Sequence, residues 1–109
     1  VGTPGHENIA PRALKSRLDA GERPVLLDVR EPWEFELASI EGSELIPMSQ
    51  LEERFTELDP ASETVVICHH GNRSSYVARA LQRVGFEKVL NLEGGLEAYS
   101  SVDESVPRY

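Results

Sequence analysis

The chain has 109 residues, 11 of them Lys or Arg and 19 Asp or Glu, for a formal net charge of −8. This length suits one domain with a single core, and the negative charge disfavours a nucleic-acid or anionic-membrane surface. No apolar run approaches a membrane span, no basic-then-apolar signal segment opens the chain, and one cysteine leaves no internal disulfide to form, so a cytoplasmic location is expected.

Residues 1–8 read as an irregular lead-in, with His6 a solvated loop histidine, and residues 9–109 as one domain. Val1 in place of Met suits a trimmed chain or one cut from a longer protein. Pro11 fits the first turn of a helix whose face carries Leu14 and Leu18, and Gly21 supplies its stop. Val25-Leu26-Leu27-Asp28-Val29 reads as a buried strand. Glu31-Pro32 opens a short helix with Trp33 and Leu37 one turn apart. A glycine turn and a short strand around Leu45-Ile46 follow. Ser49-Gln50-Leu51-Glu52 fits a capping box for a helix that buries Leu51, Phe55 and Leu58. Thr64-Val65-Val66-Ile67 is a β-branched run, the pattern of a buried strand. Val77, Ala80, Leu81 and Val84 then fall on one helix face. Gly85-Phe86 suits a Schellman ending with Phe86 on Leu81. Val89-Leu90-Asn91-Leu92 is a further strand, Gly94-Gly95 leads a last short helix through Leu96 and Tyr99, and a polar tail from Val102 to Tyr109 wraps the surface. Trp33, Phe55 and Phe86 are expected in the core. Strands alternating with helices predict an α/β fold, a mostly parallel sheet covered on both faces, with ligands beyond the carboxyl ends of its strands.

The chemistry concentrates at Cys68-His69-His70-Gly71-Asn72-Arg73-Ser74, between the strand ending at Ile67 and the helix carrying Val77. The first N–H groups of a helix lack intrahelical partners and favour anions, so a cysteine facing them is favoured as thiolate, the nucleophilic form. Gly71 allows the loop to curl, and Arg73 adds a fork of donors suited to an oxyanion. Thr64 through Phe86 contains no Asp or Glu in 23 residues, where an even spread would place about four. That window predicts an anion site. Ser74 reads as a capping or loop-stabilising hydroxyl, since no local acid completes a triad. His69 and His70 are expected to line the pocket mouth, adding positive charge when protonated. Cys68, His69 and His70 are adjacent and cannot easily converge on one tetrahedral ion, so neither a metal nor a cofactor is expected. Asp28 and Arg30 map to the same sheet edge, with Asp28 read as a structural anchor and Arg30 left undecided.

Five blocks resemble the rhodanese family in family order. They are Leu27-Asp28-Val29-Arg30 with Glu34-Phe35, Ile40-Glu41-Gly42-Ser43 with Ile46-Pro47, the cysteine loop, Gly85-Phe86, and Asn91 through Tyr99. The resemblance implies a three-layer rhodanese-like fold with a five-stranded parallel sheet. It further implies sulfur transfer by double displacement through a persulfide on Cys68. The donor would be a small anion such as thiosulfate, or a persulfide, and the acceptor an external thiol, cyanide or a sulfur-acceptor protein. The six-residue loop from Cys68 to Arg73 has the length of the sulfurtransferases. The related cell-cycle phosphatases and arsenate reductases, one residue longer there, are the minority alternative, beside a non-catalytic docking module. Ala38-Ser39-Ile40 stands where many members carry Gly-His-Ile. The closing Val102–Tyr109 resembles the end of rhodanese domains appended to adenylyltransferases that activate sulfur carriers.

Overall fold

The computed structural model describes residues 7–109. The chain runs through β1 (Glu7–Ile9), α1 (Pro11–Asp19), β2 (Val25–Asp28), α2 (Pro32–Leu37) and β3 (Glu44–Leu45). It continues through α3 (Leu51–Arg54), β4 (Thr64–Ile67), α4 (Asn72–Arg83), β5 (Val89–Leu92) and α5 (Gly95–Ser100), with 3-10 turns at Met48–Gln50 and Phe55–Glu57. The five strands form one sheet in the order β1-β5-β4-β2-β3, every neighbouring pair parallel. This is the three-layer rhodanese-like α/β fold that the resemblance implies.

Strand alternation divides the core. Val65 and Ile67 point to one face of the sheet, where they meet Leu14 of α1, Leu92, and Leu96 and Tyr99 of α5. Val66 and Cys68 point to the other, against Leu51 of α3 and Val77, Ala78 and Leu81 of α4. Because both faces are covered, β4 is buried along its whole length, which explains its unbroken apolar run. Burying each such Val, Ile or Leu contributes roughly 1.5–3 kcal/mol. α4 closes as the sequence predicts: the N–H of Phe86 bonds the Leu81 carbonyl at 3.0 Å and that of Gly85 the Gln82 carbonyl at 3.1 Å.

Glu7 and Asn8 belong to β1, Asn8 in register with Asn91 of β5, so the strand begins before the lead-in was expected to end. Residues 1–6, including His6, lie outside the described residues. Ser49 makes no cap: a 3-10 turn enters α3, and its i to i+3 bonds, Gln50 N–H to Pro47 and Leu51 N–H to Met48, satisfy donors in its place. Trp33 and Leu37 are 60% and 54% exposed, because the six-residue α2 turns Glu34 inward instead. Among the described residues no helix is long and apolar enough to cross a membrane.

Candidate active site

Cys68 directly follows β4, at the carboxyl edge of the sheet, and beside it the N–H of Val29 bonds the Ile67 carbonyl at 3.0 Å. The chain then turns through Gly71, whose φ of +99° lies in the left-handed region, and enters α4 at the exposed Asn72. The turn brings the Gly71 N–H onto the Cys68 Sγ at 3.0 Å. Ser74, in the first turn of α4, places its Oγ 3.2 Å from the same sulfur and donates to the Asn91 Oδ1 on β5. The Asn91 amide in turn donates to Asn8 of β1 at 3.3 Å. Ser74 thus bridges the sulfur to β5 and makes no cap bond to the helix. Cys68 is only 1% exposed, yet its sulfur faces an amide and a hydroxyl at the positive end of a twelve-residue helix.

Two of the loop's carbonyls are taken up by another helix. The N–H groups of Leu96 and Glu97 in α5 bond the Cys68 and His69 carbonyl oxygens at 2.8 and 3.0 Å. This contact requires glycine at 95: a Cβ there would lie 2.4 Å from the His69 oxygen and 2.6 Å from that of Cys68, on a backbone with φ of +66°. With its carbonyls held away, the loop can present donors to the sulfur.

The rim is built from three carboxylates: Asp28, expected as a structural anchor, and Glu34 and Glu97, to which the sequence reading gave no role. Glu34 Oε1 and Oε2 receive the Arg73 guanidinium as a fork, at 2.7 and 2.9 Å. The same carboxylate accepts from the Glu31 N–H at 3.0 Å and the Tyr109 hydroxyl at 2.8 Å. Arg73, aided against burial by the Glu31 N–H and Tyr109, holds the Glu34 carboxyl down at about 2. Asp28 and Arg30 form a fully buried pair, with Arg30 Nη2 2.6 Å from Asp28 Oδ2 and 2.6 Å from the Ala38 carbonyl, and Nη1 2.7 Å from the Tyr109 hydroxyl. Burial opposes the Arg30 charge, but Asp28 and Tyr109 outweigh it and raise its pKa. Glu97 pairs with His70, carboxylate oxygen to Nε2 at 3.0 Å.

His69 lies between two rings, its centroid 3.9 Å from that of His70 and 4.2 Å from that of Tyr109. Burial and, secondarily, His70 push its pKa below 6.5, which favours the neutral ring. Its Nε2 is buried without a hydrogen-bond partner. His69, His70 and Glu97 each bring a possible ligand atom within 4.8 Å of the others. The two imidazoles are stacked, with their planes 29° apart.

The structure thus gathers Cys68, His69, His70, Gly71, Arg73, Ser74, Asp28 and Arg30 at one edge. It adds Glu34, Asn91, Gly95, Glu97 and Tyr109. Of these, all but Tyr109 fall in the five blocks that carry the resemblance; Tyr109 ends the closing stretch that resembles adenylyltransferase-linked rhodanese domains, where it was given no role.

A family model, Rhodanese-like domain, matches residues 10–102. The chain belongs to this family. A rhodanese-related protein from Thermoplasma volcanium superposes with a TM-score of 0.83 at 32% identity, covering 95% of this chain and 100% of that one. The putative sulfurtransferase YtwF of Bacillus subtilis is 38% identical over 93 residues, covering 85% of this chain and 89% of YtwF. The putative sulfur carrier protein YrkF of the same organism is 38% identical over 96 residues, 88% of this chain. The rhodanese-like domain spans only 52% of YrkF's length. YtwF and YrkF are thus named for sulfur transfer and sulfur carriage.

Proposed function

We propose that this rhodanese-like domain is a sulfurtransferase in which Cys68 carries sulfane sulfur as a persulfide. One observation carries the reading: the sole cysteine's sulfur sits at the start of α4 with the Gly71 N–H and the Ser74 hydroxyl on it. The names of the relatives support the same chemistry.

The reaction is two displacements. Cys68 as thiolate attacks the outer sulfur of a donor, thiosulfate or an organic persulfide. The new S–S bond forms as the donor's own bond to that sulfur breaks, and sulfite or the parent thiolate leaves with the electron pair. The Cys68 persulfide then gives its terminal sulfur to an external thiol, cyanide or a protein acceptor, and Cys68 leaves as thiolate. Ser74 has one hydroxyl hydrogen to share. With the sulfur as thiol it can accept from Sγ and donate to Asn91; with the sulfur charged it can turn that hydrogen to Sγ. Together with the Gly71 N–H it supplies fixed dipoles where negative charge resides. A cytoplasmic setting belongs to this proposal, since an exchangeable persulfide suits a reducing compartment.

The test is mass spectrometry of the intact chain after treatment with a sulfane donor. One added sulfur atom is expected on the wild type and none on Cys68→Ser, whose circular dichroism should match the wild type. A Cys68→Ser protein that still turns over would overturn the assignment.

A further inference from the structure

The sequence offers Arg73 as a cation for an anionic donor, but the structure has already used that charge. Its two terminal nitrogens lie on Glu34, a carboxylate fixed from two further sides by the Glu31 N–H and the Tyr109 hydroxyl. The other basic side chains around the loop are occupied as well. His70 meets Glu97, Arg30 is sealed on Asp28, and His69, packed between two rings, is favoured neutral. Beyond Arg73 an open groove of about 710 Å³ is lined by Met48, Phe55 and Tyr76 together with two more carboxylates, Glu31 and Glu52. An inorganic dianion approaching Cys68 thus meets cancelled cations and uncancelled acids, on a chain with net charge −8. An organic donor meets apolar surface and acids able to attract a cationic body.

We propose that the donor is the persulfide of an organic thiol, R–S–SH, favoured where R is cationic, and that thiosulfate is a poor donor at this site. The inference rests on the reading of Cys68 as sulfur carrier. In the first step the Cys68 thiolate bonds the outer sulfur of R–S–SH, the inner S–S bond breaks, and RS⁻ departs with its electron pair to take a proton. No oxidant or reductant is consumed. Glu34 is a specificity-determining residue in this account, acting through Arg73.

Intrinsic reactivity differs between donors, so the test reads the sign of the salt effect. The rate of sulfur gain by Cys68 is followed by mass spectrometry with thiosulfate and with cysteamine persulfide, whose ammonium makes R cationic. Lowering the Debye length from about 30 to about 8 Å should raise the thiosulfate rate about threefold and lower the cysteamine persulfide rate. Glu34→Gln, which releases the Arg73 charge, should raise the low-salt thiosulfate rate about tenfold and reverse its salt dependence. A wild-type thiosulfate rate that falls with salt overturns the inference, and this holds even if Glu34→Gln does not fold. So does a folded Glu34→Gln protein with an unchanged thiosulfate rate. Failure of both donors to load Cys68 is a different result, and would remove the sulfur-carrier reading itself.

Discussion

Arg30 and Arg73 both touch Glu34, one through its backbone carbonyl at 3.3 Å and the other through its carboxylate, yet they live in different media. The Arg30–Asp28 pair has no exposure on either side chain, and every Arg30 nitrogen is bonded within the protein. Arg73 keeps 36% of its side chain in solvent while its partner keeps 5%. A dry ion pair behaves as a single structural part, since losing either member strands a charge. A half-wet pair sets the local charge and can be altered without breaking the fold. The difference separates what holds the cysteine loop from what tunes it.

The largest expected effect comes from breaking the dry pair. Arg30→Met leaves the Asp28 carboxylate buried without its counter-charge and should lower stability by about 3–5 kcal/mol in urea unfolding. Arg73→Met opens the space of a half-exposed side chain to water beside Glu34, with the Glu31 N–H and Tyr109 still on the carboxylate, and should cost only about 1–2 kcal/mol. Equal losses would erase the distinction.

The half-wet pair is better probed by pH. Glu34 has its folded pKa lowered from 4.5 to about 2, so its contribution is complete above about pH 4.5 and disappears as pH falls toward 2. Allowing for solvent around Arg73, that contribution is on the order of 2 kcal/mol. The stability gap between wild type and Glu34→Gln should therefore be full at about pH 6 and shrink toward about pH 2.5 in urea melts. A gap that widened with acid would show that the carboxylate is not held charged by Arg73.

These pairs also mark the limit of what the sequence discloses. The strands were legible because a strand covered on both faces needs an unbroken apolar run, as Val25–Leu27 and Thr64–Ile67 have. The close of α4 was legible because Gly85-Phe86 is local chemistry. The cysteine's surroundings were legible only in part: the turn that brings Gly71 to Sγ is encoded within a few residues, whereas the rim is not. The acid-free window from Thr64 to Phe86 is free of acids only along the chain. In space Glu34 arrives from 39 residues upstream and Glu97 from α5, and they pair with the window's two basic side chains nearest the cysteine, Arg73 and His70. Trp33 misled for a related reason, since a six-residue helix shows too few turns for spacing to say which face is covered.

Tyr109 gives the finest division between the two arginines, because it touches both systems. Its hydroxyl accepts from Arg30 and donates to Glu34, and its ring lies over Arg30 and stacks on His69. Tyr109→Phe removes only the hydroxyl and should cost about 1 kcal/mol. The His69 pKa should stay low, because the ring that helps bury it remains. Tyr109→Ala removes the ring as well, and His69 should climb back toward 6.5, since burial is the main cause of its depression. Imidazole titration by NMR reads this directly. If His69 moved equally in both variants, its neutrality would depend on the hydroxyl's polar network and not on the stacked ring, and the rim would be electrostatic throughout.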